Sequence, residues 1–334
     1  MNTAQRTRIS TWGLVLAGVV VLTLATGASA DPMPFWSDME LARFADVIVA
    51  GRVLDTKSEI DLQVDAVYTS VTLDVSRVIK GGVTSPRLTF KQLGGTEGAL
   101  TLTVAAQAEF TAGEDVLVFL ERRPRDRSLY TAGLWQGKWR VSTDGTSGVL
   151  LAVRDRIDGS SWGALGPARD VRVLDRFIER LQAATTRPAS GGIAIEASAA
   201  VPAAADHAGA LPMARRDGGS TAYTPRFRFT SGSATGPGRW ATSVARAASA
   251  WNAAQSRFRL VDDGASSTRC AMSLSRSGAV TVGSATACGE LAPHGSIFAM
   301  TGRYINRRAG GEAWALVDVF VLGNEANLDV LPSS

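Results

Sequence analysis

Strict period-two alternation marks the first half of the chain. Val71, Leu73 and Val75 are separated by Thr72 and Asp74, Leu88 and Phe90 by Thr89, and Leu100, Leu102 and Val104 by threonines. Successive side chains of a strand point to opposite faces, so each run predicts a half-buried strand. Val116 to Leu120 reads as a continuous apolar strand, introduced by the turn Ala112-Gly113-Glu114-Asp115. Glycines at 81, 82, 94, 95 and 98 punctuate the series. Gly94-Gly95-Thr96-Glu97-Gly98 reads as a hairpin turn, because no P-loop lysine or helix start follows it. Helical stretches are expected over Trp36 to Phe44, with Leu41 and Phe44 on one side, and over Val173 to Leu181. The spacing predicts a mainly β domain over residues 31–182, folded as a small closed or half-closed antiparallel barrel.

Residues 183–222 break the pattern. Alanine, glycine, serine and proline without large side chains cannot bury enough surface to offset ordering entropy, so this stretch is expected to be a disordered linker that includes His207. Patterning returns over residues 223–334. Phe227-Arg228-Phe229-Thr230 predicts a short strand. After Gly236-Pro237-Gly238, the residues Trp240, Val244, Ala247, Ala248 and Trp251 fall on one apolar face of a helix, with alanines that let it lie close against a sheet. Phe258 to Val261, Ala271 to Leu274 and Val280 to Val282 predict further strands, and Val317, Asp318, Val319, Phe320 and Val321 belong to one more. This second region is expected to be α+β, an amphipathic helix packed on a sheet.

The amino terminus bears on location. Arg6 and Arg8 precede an apolar run from Trp12 to Leu24, and Ala28-Ser29-Ala30 puts small residues at the −3 and −1 positions of a cleavage site. That is the pattern of a secretory signal peptide over residues 1–30, cut after Ala30. A membrane span needs about 20 apolar residues, so no stable insertion is expected after cleavage. The mature protein is expected to be secreted or periplasmic.

Charge and cysteine usage follow from export. The formal charge of +4 falls to +2 when Arg6 and Arg8 leave, too little and too evenly spread to predict nucleic-acid or membrane partners. The densest basic cluster, Arg122, Arg123, Arg125 and Arg127, reads as a solvated turn between strands. Cys270 and Cys288 are the only cysteines, and an isolated pair in an oxidising compartment usually bonds. A two-cysteine metal site is the alternative, but structural zinc wants four ligands and only His294 lies nearby.

Two stretches carry resemblances. Ala45 to Val53 followed by Val71 to Gly82, with the later Phe110 to Leu120, resembles the start and the closing strand of OB-like barrels in exported bacterial proteins. That implies a fold and says little of a task. In the second region, a strand, then Trp240-x-x-x-Val244-x-x-Ala247-x-x-x-Trp251-Asn252, then Phe258-Arg259-Leu260 resembles the opening of secreted bacterial matrixin-type (metzincin) zinc peptidases. The resemblance implies an opening helix behind a twisted sheet, that is, an incomplete zincin. It also implies a late strand along the edge of a substrate cleft, matched by Val317, Asp318, Val319, Phe320 and Val321. Family members carry H-E-x-x-H-x-x-G-x-x-H on a following helix, whose histidines hold Zn²⁺ while the glutamate activates the bound water.

That motif is absent from these 334 residues, so no ligand or catalytic residue transfers and no cofactor is expected to be bound. The sequence reads as a family member truncated before its zinc helix, or a degenerate homologue. His294 with Glu290 and Asp318 matches no metal-ligand spacing, and His294 reads as a loop residue. Trp135 and Trp139 near Tyr130 could form an aromatic platform, but reading them as filling or covering the barrel requires less. Gly-x-Ser-x-Gly is absent, and Glu114-Asp115 and Asp262-Asp263 look like turns. Two functions remain: an exported, metallopeptidase-like protein that is not proteolytic as it stands, or a non-enzymatic binding protein whose barrel engages a protein or surface polymer.

Overall fold

The continuous apolar run Val116 to Leu120 lies in a sheet that is covered on both faces. Val116, Val118 and Leu120 enter one core with Val49, Leu73 and Phe90, whereas Leu117 and Phe119 enter another with Ile48, Trp139 and Phe177. Double burial is why polar alternation is missing there. The structure is a computed structural model that describes residues 36–155, 169–186, 226–230, 261–266, 280–284, 288–307 and 314–324, with a few positions between them. These all belong to one compact unit. The expected signal segment lies outside the described residues, as do Trp240, Val244, Ala247, Ala248 and Trp251; of the expected linker, residues 183–186 are helical, as the end of a helix over Leu174–Thr186, and the rest lies outside the described residues.

In chain order the strands are β1 (Val47–Asp61), β2 (Ala66–Lys80), β3 (Arg87–Leu93), β4 (Gly95–Glu97), β5 (Leu100–Val104), β6 (Asp115–Arg122), β7 (Leu129–Thr131) and β8 (Lys138–Thr143). They continue as β9 (Leu150–Asp155), β10 (Arg169–Val173), β11 (Arg226–Thr230), β12 (Val261–Ser266), β13 (Val280–Ser284), β14 (Ala299–Arg307) and β15 (Trp314–Gly323). Helix α1 (Asp38–Phe44) precedes β1, and α2 (Leu174–Thr186) follows β10.

The fold is mainly β. An eight-stranded antiparallel sheet follows the order β10-β9-β8-β6-β1-β2-β3, with β7 also paired to β6. Its end strands β3 and β10 do not pair with each other, so the expected barrel is not closed. The physical reason lies in β4 and β5. The alternation at Leu100, Leu102 and Val104 predicts a strand correctly, but these residues pair with β14 in a second sheet. Gly94-Gly95-Thr96-Glu97-Gly98, expected to be a hairpin turn, contains a strand, and the turn proper is Gly98-Ala99 between β4 and β5.

Two helices cover one face of the first sheet. Ser37 caps α1 by accepting from the Glu40 amide, and the Glu40 carboxylate accepts from the Ser37 amide, which satisfies two donors of the first turn. On α2, Leu174, Phe177, Ile178 and Leu181 recur at helical spacing and are buried against Trp139 and the α1 residues Leu41 and Ala42.

The second sheet has the order β12-β11-β13-β15-β14-β5-β4. Strands β12, β11, β13 and β15 run parallel, and β14 is antiparallel to β15. Parallel neighbours need a long crossover, and the connection of residues 231–260 between β11 and β12 spans the helical pattern of the sequence. Of it, Ser249, Asn252 and Ala253 are described and are helical. The expected strand at Ala271 to Leu274 is not formed, because Met272 to Leu274 turn back and Leu274 donates its amide to Asp65 O at 2.8 Å. Asp262 and Asp263 lie in β12, not in a turn. Strand β14 was not anticipated. No helix among the described residues is long and apolar enough to cross a membrane.

Candidate functional site

The segment from Cys288 to Phe298 runs between the two sheets, and two buried carboxylates fasten it. Glu121 ends the apolar run of β6 and is 1% exposed. Its Oε1 accepts from the Ser296 hydroxyl and, at 3.2 Å, from the Ser296 amide. Its Oε2 accepts from the hydroxyl of Tyr130, the residue opposite it on β7, at 3.1 Å. Tyr130 in turn accepts the Ala292 amide at 3.1 Å, and the Ser296 hydroxyl accepts the Gly133 amide at 2.6 Å. Trp36 Nε1 donates to Ser296 O at 2.7 Å. Gly295 makes the approach possible, since a Cβ there would overlap Glu121 Oε2 and lie 2.9 Å from Ala292 O. Immediately after β15, Asn324 closes the far side by donating to Ala292 O and Ile297 O, each at 3.0 Å.

The second carboxylate comes from the segment itself. Glu290, 2% exposed, accepts from Arg123 Nε at 2.9 Å and from the Tyr68 hydroxyl at 2.8 Å. Arg123 is 1% exposed and lies over the Tyr68 ring, 4.8 Å from its centroid, while also donating to Ser128 Oγ at 2.6 Å. Arg125 donates its amide to Gly289 O at 2.9 Å and its guanidinium to Asp61 Oδ2 at 3.1 Å. This corrects the expectation of a solvated basic turn: Arg123 and Arg125 face inward because a buried carboxylate and the tip of the β1–β2 hairpin lie there.

Electrostatics separate the two groups. Burial pushes the Glu121 carboxyl up to about 7, and the hydrogen bonds from Ser296 and Tyr130 only partly oppose it. Burial also raises Glu290, against the pull of the Arg123 guanidinium, while Glu290 helps hold the Arg123 pKa up so that the arginine stays charged. The Tyr68 and Tyr130 hydroxyls are pushed well above their ordinary value by burial and the adjacent carboxylates, so they remain donors. Between the groups lies a cavity of about 10 Å³ lined by Gln92, Gln107, Arg123, Tyr130 and Glu290. It has room for about one water. Groups this enclosed fasten the segment and do not meet an outside substrate.

Cys270 and Cys288 form a disulfide with Cα atoms 5.5 Å apart, so the covalent tie sits immediately before Gly289-Glu290. Val317 to Val321 lie in β15, which has β13 on one side and β14 on the other and is therefore interior to its sheet. His294 is exposed with φ 57°, and Glu290 is engaged by Arg123. Among the described residues no cluster of three or more His, Cys, Asp or Glu is arranged to hold a metal. Trp139 and Tyr130 are buried, and the Tyr130 hydroxyl is committed to Glu121. Sequence reasoning missed Glu121, Arg123, Ser296 and Tyr68. The available signal was Glu121 itself, a charge directly continuing a strand whose apolar run has no outward face.

Comparison with protein-family models, curated proteins and solved structures finds no match.

Proposed function

We propose that this chain is an exported protein on a matrixin-like metallopeptidase scaffold, and that these 334 residues do not themselves hydrolyse peptides. The observation that carries the reading is the second sheet. Four parallel strands are bordered by antiparallel β14, and the helical pattern of Trp240 to Trp251 falls in the crossover between β11 and β12. A right-handed crossover would lay that helix across the sheet, as the family resemblance implies. The first sheet is read as OB-like in its β1–β2–β3 and β6 portion, left open where β4 and β5 depart.

Catalysis would need a zinc-bound water and a glutamate beside it, and the sequence offers two histidines, His207 and His294, far apart and outside any motif. Zinc stoichiometry and casein cleavage on the purified mature chain test this. No chelator-sensitive cleavage is expected; one bound zinc with cleavage abolished by a chelator would overturn it. An experimental structure without a helix over residues 240–251 would overturn the scaffold assignment separately.

The second reading, a binding protein that engages a protein or polymer through the first sheet, is favoured by one feature. Edge strand β10 exposes Val171 and Val173. Retention of zinc-free mature chain on a surface polymer, lost on V171S/V173S, would favour it.

A further inference from the structure

Strand β10 ends the first sheet. It pairs with β9 on one side, from Arg169 opposite Asp155 to Val173 opposite Leu151, and no strand among the described residues pairs with its other side. The Arg172 guanidinium folds back along this strand and donates to the Val171 carbonyl at 3.1 Å. Charged side chains on an end strand deter indiscriminate pairing. Here they also decide what can pair.

Side chains alternate across β10, so its two faces offer different chemistry. On one face Val171 and Val173 stand opposite Val153 and Leu151. Val153 is 6% exposed, yet Val171 and Val173 remain 46% and 43% exposed at the end of the sheet. On the other face Asp170 and Arg172 stand opposite Arg154 and Ala152, on the side that α2 covers. Arg172, Arg176, Glu179 and Arg180 line, with the two valines, an open groove of about 530 Å³. Arg176 and Arg180 are exposed and four residues apart on α2, hence neighbours on its surface. The nearby acids are engaged elsewhere: Asp170 accepts from Arg154 at 2.7 Å and Asp175 from Arg77 at 3.2 Å, while Asp38 is shared between Arg154 at 3.3 Å and Arg172 at 3.7 Å. Glu179 is the one carboxylate lining the groove, against three guanidinium groups.

We propose that the outer edge of β10 binds an extended segment of another protein whose side chains alternate between apolar and acidic. The proposal rests on the binding-protein reading above and names the partner's chemistry. Strand addition draws affinity from main-chain hydrogen bonds and specificity from alternate side chains. The apolar positions of the added strand pack on Val171 and Val173, and the acidic ones meet Arg172, Arg176 and Arg180. A second copy of the chain is a poor occupant, because antiparallel pairing of β10 with itself brings the same arginines together.

The probe is a short fluorescein-labelled peptide of alternating valine and glutamate, titrated by polarisation into the zinc-free mature chain. Binding is expected, with slowed amide hydrogen exchange over residues 169–173. Arg176→Glu with Arg180→Glu is expected to weaken it at least about 10-fold, and to favour instead the peptide with lysine in place of glutamate. V171S/V173S is expected to weaken it as well, and a pair of prolines in the middle of the peptide to abolish it. A wild-type chain that takes no peptide overturns the proposal, as does one that dimerises through β10 without taking peptide. Polyacrylate has the charge but no backbone amides; if it binds as tightly as the peptide, the proposal fails and the binding-protein reading stands. Peptide binding that neither V171S/V173S nor the charge reversal weakens overturns both.

Discussion

Replacing Glu121 with glutamine isolates the electrostatic cost of the clamp. The carboxyl titrates near 4.5 ordinarily and at about 7 in the folded chain, so between those values the folded state holds a proton that the unfolded chain has lost. The stabilisation is thus complete below about pH 4.5 and is lost as pH rises through about 7. A difference of about 2.5 pH units at ~1.36 kcal/mol each amounts to about 3 kcal/mol. Glutamine resembles the protonated acid in shape and hydrogen bonding. Glu121→Gln is therefore expected to match the wild type near pH 4.5 and to exceed it by up to about 3 kcal/mol at pH 8. Urea unfolding of both proteins from pH 4.5 to 8 measures this. Tyr130, Asp46 and the Glu290–Arg123 pair contribute to both proteins, so the difference between the curves belongs to Glu121. Parallel curves would refute the assignment of a buried carboxylate whose hydrogen bonds only partly offset its burial.

Other perturbations report on different parts of the structure. Arg123→Met leaves Glu290 buried without its cation and should cost about 3–5 kcal/mol in denaturant unfolding, whereas Arg123→Met with Glu290→Leu should recover most of it. Opening the disulfide with Cys270→Ser and Cys288→Ser removes a tie across 18 residues and should cost about 3 kcal/mol by the same measurement. Phe177→Ala empties the space beside Trp139, 4.7 Å away by ring centroids, and should cost about 3–5 kcal/mol; a melting temperature unchanged from wild type would count against the packing of α2.

The strands of the first sheet were legible because alternation records burial directly. Val71 and Leu73 are buried and Asp74 is exposed, as their period requires. Alternation does not record a partner, however, which is why Leu100, Leu102 and Val104 were recognised as a strand but assigned to the wrong sheet. Strand β14 carried the same pattern, with Met300 and Tyr304 buried and Thr301 exposed, but Gly302, the buried position between them, supplies no apolar side chain to that face. The buried clamp was illegible for another reason. Arg123 and Glu290 are 167 residues apart, and each alone looks like an ordinary surface charge. Only the meeting of two sheets makes them a pair. The disulfide was readable because two cysteines allow one pairing.

The junction between β5 and β14 also sets a timetable. During synthesis the hairpin leaves the ribosome about two hundred residues before its partner strand, a delay of about 10–40 s at ordinary elongation rates. Through that interval Leu102 and Val104 have no sheet to join, and a nascent chain must carry an unpaired hydrophobic hairpin until nearly its last strands arrive. The strands of the first sheet all lie within residues 47–173 and pair with one another, so that sheet does not wait for β14. The second sheet does, and it is completed late on contacts of very long range, which is the arrangement that slows folding most.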